Sequence, residues 1–469
     1  MEMDFRIEKD ALGELKVPKD VYWGINTQRA IQNFKISGRT LPKIFIKALA
    51  LLKKACLLAN TELNLIKKDI SEAILKAVDE MIDENRYFDQ FPIDIYQTGS
   101  GTQTNMNMNE VLANRANQLL GHPMGLKTPV HPNDHVNHSQ SSNDIIPTAM
   151  HISILQLINL KLLPSLEALL NVLNQKVKEF DEIVKVGRTH LQDAVPIPLA
   201  MEFNVYKQQI ELNIARIKDA CEELYFVPIG GTAVGTGLNA SEAFAIKTVS
   251  YLIKITNLPF KLNPVKAESI ASHNRILKTS GVLKLLAVSL LKMANDIRWM
   301  GSGPRAGLSE LKLPQNEPGS SIMPGKINPT QSEALIQVCL QVIGNHATIT
   351  AGEFYGSILD LNVCKPLIIT NLLESIEILN NSINSFRENC LKGIQVNKDQ
   401  INKQLERLLM LVTNLTPIIG YDKCSEIAIN AYKSGKSIKE VVKEMGLEFE
   451  QDLDELLDAR SIAYPNRNK

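Results

Sequence analysis

The sequence has few aromatic residues and no excess charge of either sign. Phe, Trp and Tyr make up 5% of the 469 residues, whereas hydrophobic residues together make up 44%. The core is therefore expected to consist mostly of Leu, Ile, Val and Ala. The 51 basic residues balance 51 acidic residues, which argues against binding to nucleic acid or to a membrane surface through bulk charge.

Cysteine is scarce, and no pair of cysteines has the spacing of a C-x-x-C motif. The six cysteines are Cys56, Cys221, Cys339, Cys364, Cys390 and Cys424. This scatter gives no sign of a disulfide framework, a zinc site or an iron–sulfur cluster, and it indicates a reducing compartment. The N-terminus lacks the apolar segment of a signal peptide, and no uninterrupted apolar run is long enough to span a bilayer. We therefore expect a cytoplasmic protein, or a mature form without its targeting peptide.

Long helices dominate the predicted architecture. Apolar residues recur at three- and four-residue spacing over 148–180, 201–226, 275–299, 331–351 and 366–388. These five segments are apolar on more than one side, which is typical of helices that pack in a bundle or against another subunit. Shorter helical patterns cover 46–85 and 110–120, whereas 1–45 reads as irregular and the glycines at 225–240 suggest a hairpin.

The pattern divides the chain into three predicted domains. Residues 1–138 form a mostly helical N-terminal domain, and residues 139–395 form the central helix bundle. Residues 396–469 form a small C-terminal domain of shorter, more charged helices. We find no internal repeat and no low-complexity segment.

Residues 319–329 concentrate polar groups in one short segment. Ser320, Ser321, Lys326 and Asn328 supply two hydroxyls, a cation and an amide, and two prolines discourage a helix there. A long helix is predicted to follow. A loop of small donors before a helix suits an anion, because backbone N–H groups and the helix dipole favour negative charge. The alternative is a surface turn with Met323 packed into the core.

Three further segments collect hydroxyls, amides and histidine, namely residues 98–102, 139–144 and 187–193. Each segment has a purely structural alternative. Residues 141–143 have the composition of a helix cap, and Thr330 and Glu333 have the spacing of a capping box. His190 has the alternative of a structural histidine held by hydrogen bonds.

The polar segments together resemble the fumarase/aspartase superfamily. Residues 319–329 match its signature Gly-Ser-Ser-x-Met-Pro-x-Lys-x-Asn-Pro at every fixed position, and the resemblance covers nearly the whole chain, including 230–239 and 302–307. Residues 101–110, 316–318 and 420–423 resemble the iron-independent (class II) fumarases. His190 points the same way, since aspartate ammonia-lyases typically have Gln in its place.

The resemblance implies an all-α, three-domain fold whose long central five-helix bundle joins others into a twenty-helix core in a homotetramer. It implies a carbon–oxygen lyase of the tricarboxylic acid cycle that interconverts (S)-malate and fumarate plus water, through C3 proton abstraction and a stabilised aci-carboxylate. No cofactor and no metal are implied. The substrates are small dicarboxylates, and each active site is shared by three subunits. Aspartate ammonia-lyase and a catalytically silent structural protein, like the lens crystallins recruited from this superfamily, are the rival interpretations.

The resemblance also assigns roles to individual residues. Ser320 is the expected base, Lys326 and Asn328 hold the substrate carboxylate, and His190, oriented by Glu333, handles the departing hydroxyl. A histidine suits this role because its ordinary pKa lies near neutrality. The remaining substrate-binding residues implied are Ser100, Gly101, Thr102, Ser141, Ser142, Asn143, Thr189, Ser321 and Ile327.

A second, non-catalytic dicarboxylate site is implied at His131, Pro132, Asn133 and Asp134. Fumarases usually have an arginine shortly before this segment. Here the position is Thr128, with Lys127 beside it. The departure predicts a second site that is weakened.

Overall fold

The structure, a computed structural model, describes residues 4–465. It is mainly helical, as predicted. The α-helices are α1 (Ile25–Asn33), α2 (Lys43–Glu62), α3 (Lys68–Ile82), α4 (Thr102–Leu119), α5 (Ser142–Leu157), α6 (Leu163–Glu179), α7 (Leu199–Leu224), α8 (Glu242–Thr256), α9 (Lys266–Ala271), α10 (Asn274–Met300), α11 (Thr330–Gly356), α12 (Lys365–Asn389), α13 (Lys398–Glu406), α14 (Thr416–Ile419), α15 (Tyr421–Ser434), α16 (Ile438–Glu444), α17 (Leu453–Leu456) and α18 (Ala459–Ala463).

The strands are short and form two-stranded pairs. They are β1 (Phe5–Asp10), β2 (Gly13–Pro18), β3 (Val184–Thr189), β4 (Gln192–Pro198), β5 (Phe226–Val227), β6 (Lys261–Leu262), β7 (Leu311–Lys312), β8 (Ser357–Ile358), β9 (Leu361–Asn362) and β10 (Gln395–Val396). Pairs β1–β2, β3–β4, β7–β10 and β8–β9 are antiparallel, whereas β5–β6 is parallel. The five predicted long helices are present, and the all-α fold class is confirmed.

The described chain divides into two compact units. Within the described residues, unit 1 comprises 4–164, 215–285 and 340–379, and unit 2 comprises 165–214, 286–339 and 380–465. The three-domain division predicted from the sequence cuts the chain at other points and stays a prediction.

In unit 1 the central element is α2, which packs against α3, α5 and α8. Thirteen of its residues are buried, which explains why its sequence is apolar on several sides. In unit 2 the β3–β4 hairpin packs against α13 and α18. The C-terminal helices of unit 2 share a core of small and branched side chains, namely Val412, Leu415, Cys424, Ile427, Ala431, Ile438, Val441, Val442 and Leu456.

Residues 4–45 are not irregular throughout, contrary to the prediction, whose first three residues lie outside the described part of the chain. They include the β1–β2 hairpin, α1 and the start of α2. Two buried carboxylates from elsewhere in the chain satisfy the N-terminus of α1: Glu8 accepts the N–H of Ile25, and Glu110 accepts those of Gly24 and Thr27. Because no residue before α1 supplies a local side-chain cap, the helix has no recognisable start signal in the sequence.

Three further boundaries differ from the prediction. The helix predicted over 46–85 is broken at Asn64, whose φ of 60° is left-handed. Helix α4 begins at Thr102 rather than 110, because Gly101 adopts φ 76° at its N-cap. The hairpin predicted near 225–240 is wrong, since β5 pairs in parallel with the distant β6.

Two helical stretches, Ser142–Glu179 and Thr330–Gly356, would be long and apolar enough to cross a membrane by length and composition alone. Core helices of soluble proteins pass the same test, so this is weak evidence for a membrane span.

Candidate active site

The loop at 319–329 lies in unit 2 and closes on itself just before α11. The N–H of Gly319 donates to the carbonyl of Lys326 at 2.7 Å, and the Asn328 amide donates back to the carbonyl of Gly319 at 2.7 Å. The Lys326 ammonium donates to Asn328 Oδ1 at 2.8 Å. A Cβ on Gly319 would lie 2.5 Å from the Lys326 carbonyl, so this closure requires glycine.

The Ser320 hydroxyl sits where backbone donors converge. Its Oγ accepts the N–H of Met323 at 2.9 Å and that of Ile322 at 3.2 Å. Ser320 is half-buried and, with Lys326, lines an open cavity of about 410 Å³. Backbone N–H groups aimed at an oxygen stabilise negative charge on it. Met323 is 49% exposed, so the alternative of a turn with Met323 packed into the core is wrong.

The capping-box alternative at the start of α11 is also wrong. The Thr330 hydroxyl donates to Glu317 at 2.7 Å, and the N–H of Glu333 donates to the carbonyl of Pro329. Neither interaction joins Thr330 to Glu333. The Glu333 carboxylate is therefore left for another role.

His190 lies in unit 2 at the tip of the β3–β4 hairpin. Thr189 pairs with Gln192, which leaves His190 and Leu191 as a two-residue turn with φ of 58° and 60°. Left-handed values at both central positions are those of a type I′ turn, which matches the twist of the strands. Thr189 and His190 are exposed. Among residues 4–465 no hydrogen bond reaches the His190 ring, so the alternative of a hydrogen-bonded structural histidine is wrong.

In unit 1, residues 98–102 form a tight turn against the start of α12. The N–H of Lys365 donates to the carbonyl of Gly99 at 3.0 Å. A Cβ on Gly99 would lie 1.4 Å from the carbonyl oxygen of Val363, so this position admits only glycine. The hydroxyls of Ser100 and Thr102 share a hydrogen bond of 2.8 Å.

Ser141, Ser142 and Asn143 open α5, also in unit 1. Ser141 is the N-cap, and its capping box with Asp144 is complete, so the structural alternative of a helix cap holds at Ser141. The Ser142 hydroxyl accepts the Asn105 amide at 3.0 Å. The Asn143 amide donates to the carbonyl of Ala233 at 2.8 Å.

Asp144 joins two of the polar segments found in the sequence. Besides the N–H of Ser141, its fully buried carboxylate accepts the N–H groups of Gly230 at 3.0 Å and Thr232 at 2.9 Å. Burial raises the pKa of Asp144 to about 6, against the opposing effect of these bonds. The start of the 230–239 segment therefore anchors the N-terminal end of α5.

A buried lysine lies behind this segment. The Lys53 ammonium donates to Asn137 Oδ1 at 3.0 Å and to Gln140 Oε1 at 2.8 Å, and the side chain is 2% exposed. Burial lowers the pKa of Lys53 to about 7. Asn137 Oδ1 also accepts the Asn105 amide at 3.1 Å. Lys53 and Asn105 thus tie the loop before α5 to α2 and α4.

The segment implied as a second dicarboxylate site forms a single π-helical turn in unit 1, Pro132–Val136. The His131 ring Nδ1 accepts the N–H groups of Asn133 and Asp134, both at 3.2 Å. Asn133 and Asp134 are exposed, whereas Pro132 is buried. Nδ1 of His131 is therefore occupied by the turn itself.

Each unit gathers its own part of the predicted site. Unit 1 joins residues 98–105 to residues 141–144 through Asn105. Unit 2 holds the 319–329 loop, Thr189, His190 and Glu333. Within residues 4–465 no hydrogen bond or ion pair joins the His190 ring to Glu333 or to Ser320. Among residues 4–465, no group of three or more His, Cys, Asp or Glu side chains has the arrangement of a metal site.

Sequence reasoning missed the residues that support this site. Lys53 and Asn105 were not singled out, and Asp144 was noted only as part of a polar run. The one available signal for Lys53 was a lysine within an almost continuously apolar helical segment.

Comparisons with known proteins identify the family of the chain. A family profile described as "Lyase" matches residues 13–344, and one described as "Fumarase C C-terminus" matches residues 411–463. The chain is 50% identical to "Fumarate hydratase class II" of Rickettsia prowazekii over 97% of this chain and 98% of that protein. It is also 50% identical to "Fumarate hydratase, mitochondrial" of Rattus norvegicus, over 98% and 91%.

A solved structure shows the same fold. The class II fumarase of Schistosoma mansoni superposes with a TM-score of 0.96 at 41% identity, covering 99% of this chain and 100% of that chain. The fold and the polar loops define a lyase. Within that class, the chain belongs to the family of class II fumarate hydratases.

Proposed function

We propose that this protein interconverts (S)-malate and fumarate plus water by the mechanism below. The observation that carries the proposal is the pair of backbone N–H donors on Ser320 Oγ, next to the ammonium and amide of Lys326 and Asn328. Class II fumarate hydratases are the relatives at 50% identity, which supports a metal-independent hydro-lyase acting on dicarboxylates. A place in the tricarboxylic acid cycle and in the cytoplasm is part of the same proposal.

Ser320 acts as the base. Its Oγ takes the C3 proton of malate, and the electron pair of the C–H bond moves into the adjacent carboxylate to give the aci-carboxylate. A free serine is a weak base, so its ionised form needs stabilisation. The N–H groups of Ile322 and Met323 and the nearby Lys326 charge provide it.

Lys326 and Asn328 bind the carboxylate on which negative charge grows. The mutual hydrogen bond holds both groups in place before substrate arrives. Donors organised in advance lower the barrier because they need little rearrangement as charge develops. Ser321, Ile327, Thr189, and the unit 1 residues Ser100, Gly101, Thr102, Ser141, Ser142 and Asn143 complete the binding set in this proposal.

His190 completes the elimination at C2. The aci-carboxylate expels the C2 hydroxyl, and His190, directly or through a water, supplies the proton that makes the leaving group water. Glu333 orients His190. Because the two side chains are not bonded within one chain, the Glu333 that serves a given His190 belongs to another subunit.

A homotetramer with sites shared by three subunits is therefore part of the proposal. Exposed apolar side chains on the long helices support it, since Val288, Trp299 and Leu340 are each at least half exposed in the single chain (51%, 51% and 56%). Gly344, Ala347 and Ala351 also lie exposed along α11, and small residues allow close approach of a neighbouring helix.

Mixed tetramers test the sharing directly. Ser320→Ala and His190→Asn variants are each expected to be nearly inactive. If one site takes these residues from different subunits, random re-association restores both intact residues in about one quarter of the sites. Refolding the two variants together is then expected to give about one quarter of wild-type activity, whereas a mixture as inactive as its components would overturn the shared site.

A second dicarboxylate site at His131–Asp134 is proposed to be weak. The His131 ring already accepts two backbone donors, and the arginine usual before this segment is replaced by Thr128. Calorimetric titration of a Ser320→Ala variant with malate, compared with a Ser320→Ala/His131→Ala double variant, is expected to give the same stoichiometry. A second binding event lost only in the double variant would contradict this.

The reaction is tested by ultraviolet assay of fumarate formed from malate and, separately, from aspartate, with a chelator present. Rapid, chelator-insensitive fumarate from malate alone is the expected result. Fumarate from aspartate would establish an ammonia-lyase instead. If a folded tetramer forms no fumarate from either substrate, the interpretation as a structural protein, or as an enzyme with a different substrate, would be favoured.

A further inference from the structure

A buried ion cluster stands directly behind the His190 turn in unit 2. The carboxylate of Glu310, which is 0% exposed, accepts Arg188 Nη1 at 2.6 Å and lies 3.2 Å from the ammonium of Lys185. Lys185 also donates to Glu202 at 2.9 Å. Burying several charges is costly unless each is well paired, and the proposed chemistry does not use any of them.

The cluster is attached to β3, the strand that leads into the His190 turn. Arg188 lies two residues before His190 on β3, and Lys185 lies on the same strand. Between them the register shifts at a bulge, where a Cβ on Gly187 would lie 2.6 Å from the carbonyl of Val195. A bulge re-aims the residues that follow it.

Glu310 is itself held firmly by its backbone. Its N–H donates to the carbonyl of Met300 at 2.9 Å, and its carbonyl accepts the N–H of Asn397 at 2.8 Å. Arg188 is further supported by Gln404 at 3.4 Å, whose amide donates to the carbonyl of Leu308. The Arg188 guanidinium therefore meets an anchored carboxylate, not a flexible surface group.

The turn needs such an anchor. His190 and Leu191 both hold left-handed φ, which costs free energy in residues other than glycine. Both residues are exposed, so packing at the tip does not hold the ring in the single chain. Two residues before His190, the Arg188 guanidinium donates to Glu310 at 2.6 Å and to Gln404 at 3.4 Å.

We infer that Glu310 is a positioning residue that, through Arg188, sets the direction in which the β3–β4 turn presents His190. Glu310 touches no substrate and transfers no proton. The inference rests on the proposed function, because it concerns the step assigned to His190. A misplacement of about 1 Å can cost on the order of 10²-fold in rate, so a defect in this anchor has a measurable effect.

The test is a double-mutant cycle in the full-length protein. Glu310→Gln keeps the size of the side chain and one acceptor but removes the charge. It is expected to lower kcat for malate dehydration by about 10- to 100-fold while KM changes by less than about threefold. In a His190→Asn background the same substitution is expected to lower the residual kcat by less than about twofold, because there is no ring left to position.

Two comparisons separate positioning from general destabilisation. Glu202→Gln removes the other carboxylate on Lys185 but does not touch Arg188, so it is expected to retain kcat within about twofold. Arg188→Gln leaves Glu310 paired with Lys185 and is expected to reproduce the loss seen with Glu310→Gln. If the Glu310→Gln variant does not fold, Arg188→Gln takes its place in the double-mutant cycle with His190→Asn.

An equal loss of kcat in both His190 backgrounds, or a loss in Glu202→Gln as large as that in Glu310→Gln, would overturn the inference. The cycle is interpreted only for variants whose sedimentation and circular dichroism match those of the wild type. If the wild type makes no fumarate from malate, the proposed function is wrong. If the wild type is active but the effects of Glu310→Gln and His190→Asn simply add, only the positioning role of Glu310 is wrong.

Discussion

The Oγ of Ser320 accepts the backbone N–H of Met323 at 2.9 Å. A neutral serine hydroxyl gains little from such a bond, whereas an alkoxide gains much more, because hydrogen bonds to a charged acceptor are about twice as strong as neutral ones. In the proposed mechanism, the two N–H groups of the loop would stabilise the ionised form of Ser320. Both N–H groups that donate to this oxygen, those of Ile322 and Met323, come from the loop itself.

Ser320→Ala is expected to lower kcat for malate dehydration by about 10²- to 10⁴-fold, the usual contribution of a positioned base. Ser321→Ala is the matched control, since Ser321 is exposed and accepts no loop N–H; its effect is expected to fall mainly on KM. Both are measured by fumarate absorbance. A Ser320→Ala variant with full turnover would remove the base assignment.

The Asp144 carboxylate does more than complete the cap of helix α5. Asp144→Ala removes the acceptor for three backbone N–H groups at once, and each buried donor left unpaired costs about 1–3 kcal/mol. We expect a loss of several kcal/mol in the free energy of unfolding, measured by urea titration. Ser241→Ala is the control: it removes a cap that accepts only the N–H of Phe244, and about 1 kcal/mol is expected. Equal losses in the two variants would mean that the contacts of Asp144 with Gly230 and Thr232 contribute nothing.

The sequence predicted what is local and missed what is distant. The loop at 319–329 and the five long helices follow from prolines, glycines and apolar spacing within each segment. Helix α1 was missed because its caps come from Glu8 and Glu110, and Glu110 is 86 residues from the Gly24 N–H that it accepts. No local pattern contains such a contact.

The candidate site shows the same limit. His190 and Ser320 were singled out by resemblance, yet within residues 4–465 no hydrogen bond or ion pair joins His190 to Glu333, and sequence spacing does not show how the two residues would be brought together. Two adjacent lysines in a helix suggest a solvated face, and local spacing does not separate Lys53 from Lys54. Lys54 pairs with Asp79 at a partly exposed site, whereas Lys53 is buried.

The turn at residues 98–102 depends on the absence of a side chain at Gly99. Gly99→Ala would place a methyl group within 1.4 Å of the Val363 carbonyl, so the backbone must move and take Ser100 with it. We expect a large rise in KM for malate, together with a loss of stability of about 1–3 kcal/mol. Gly281→Ala in α10 is the control, because its Cβ would meet nothing closer than 3.9 Å; it is expected to gain about 0.5–1 kcal/mol. An unchanged KM for malate in Gly99→Ala would show that this turn does not contribute to substrate binding.

The buried Lys53 predicts the direction in which the stability of the fold changes with pH. Burial holds its pKa at about 7 in the fold, below its ordinary value of 10.5, so between these values the unfolded chain binds the proton that the folded chain has lost. Stability from this group therefore rises as pH increases from 7 to about 10. Lys53→Met removes the titration while filling similar space, and Asn137 Oδ1 keeps the donor from Asn105. The stability difference between wild type and Lys53→Met, followed by urea midpoint at matched protein concentration, is expected to shift in favour of the wild type across this range. A difference that stays constant from pH 7 to 10 would show that Lys53 keeps an ordinary pKa in the fold.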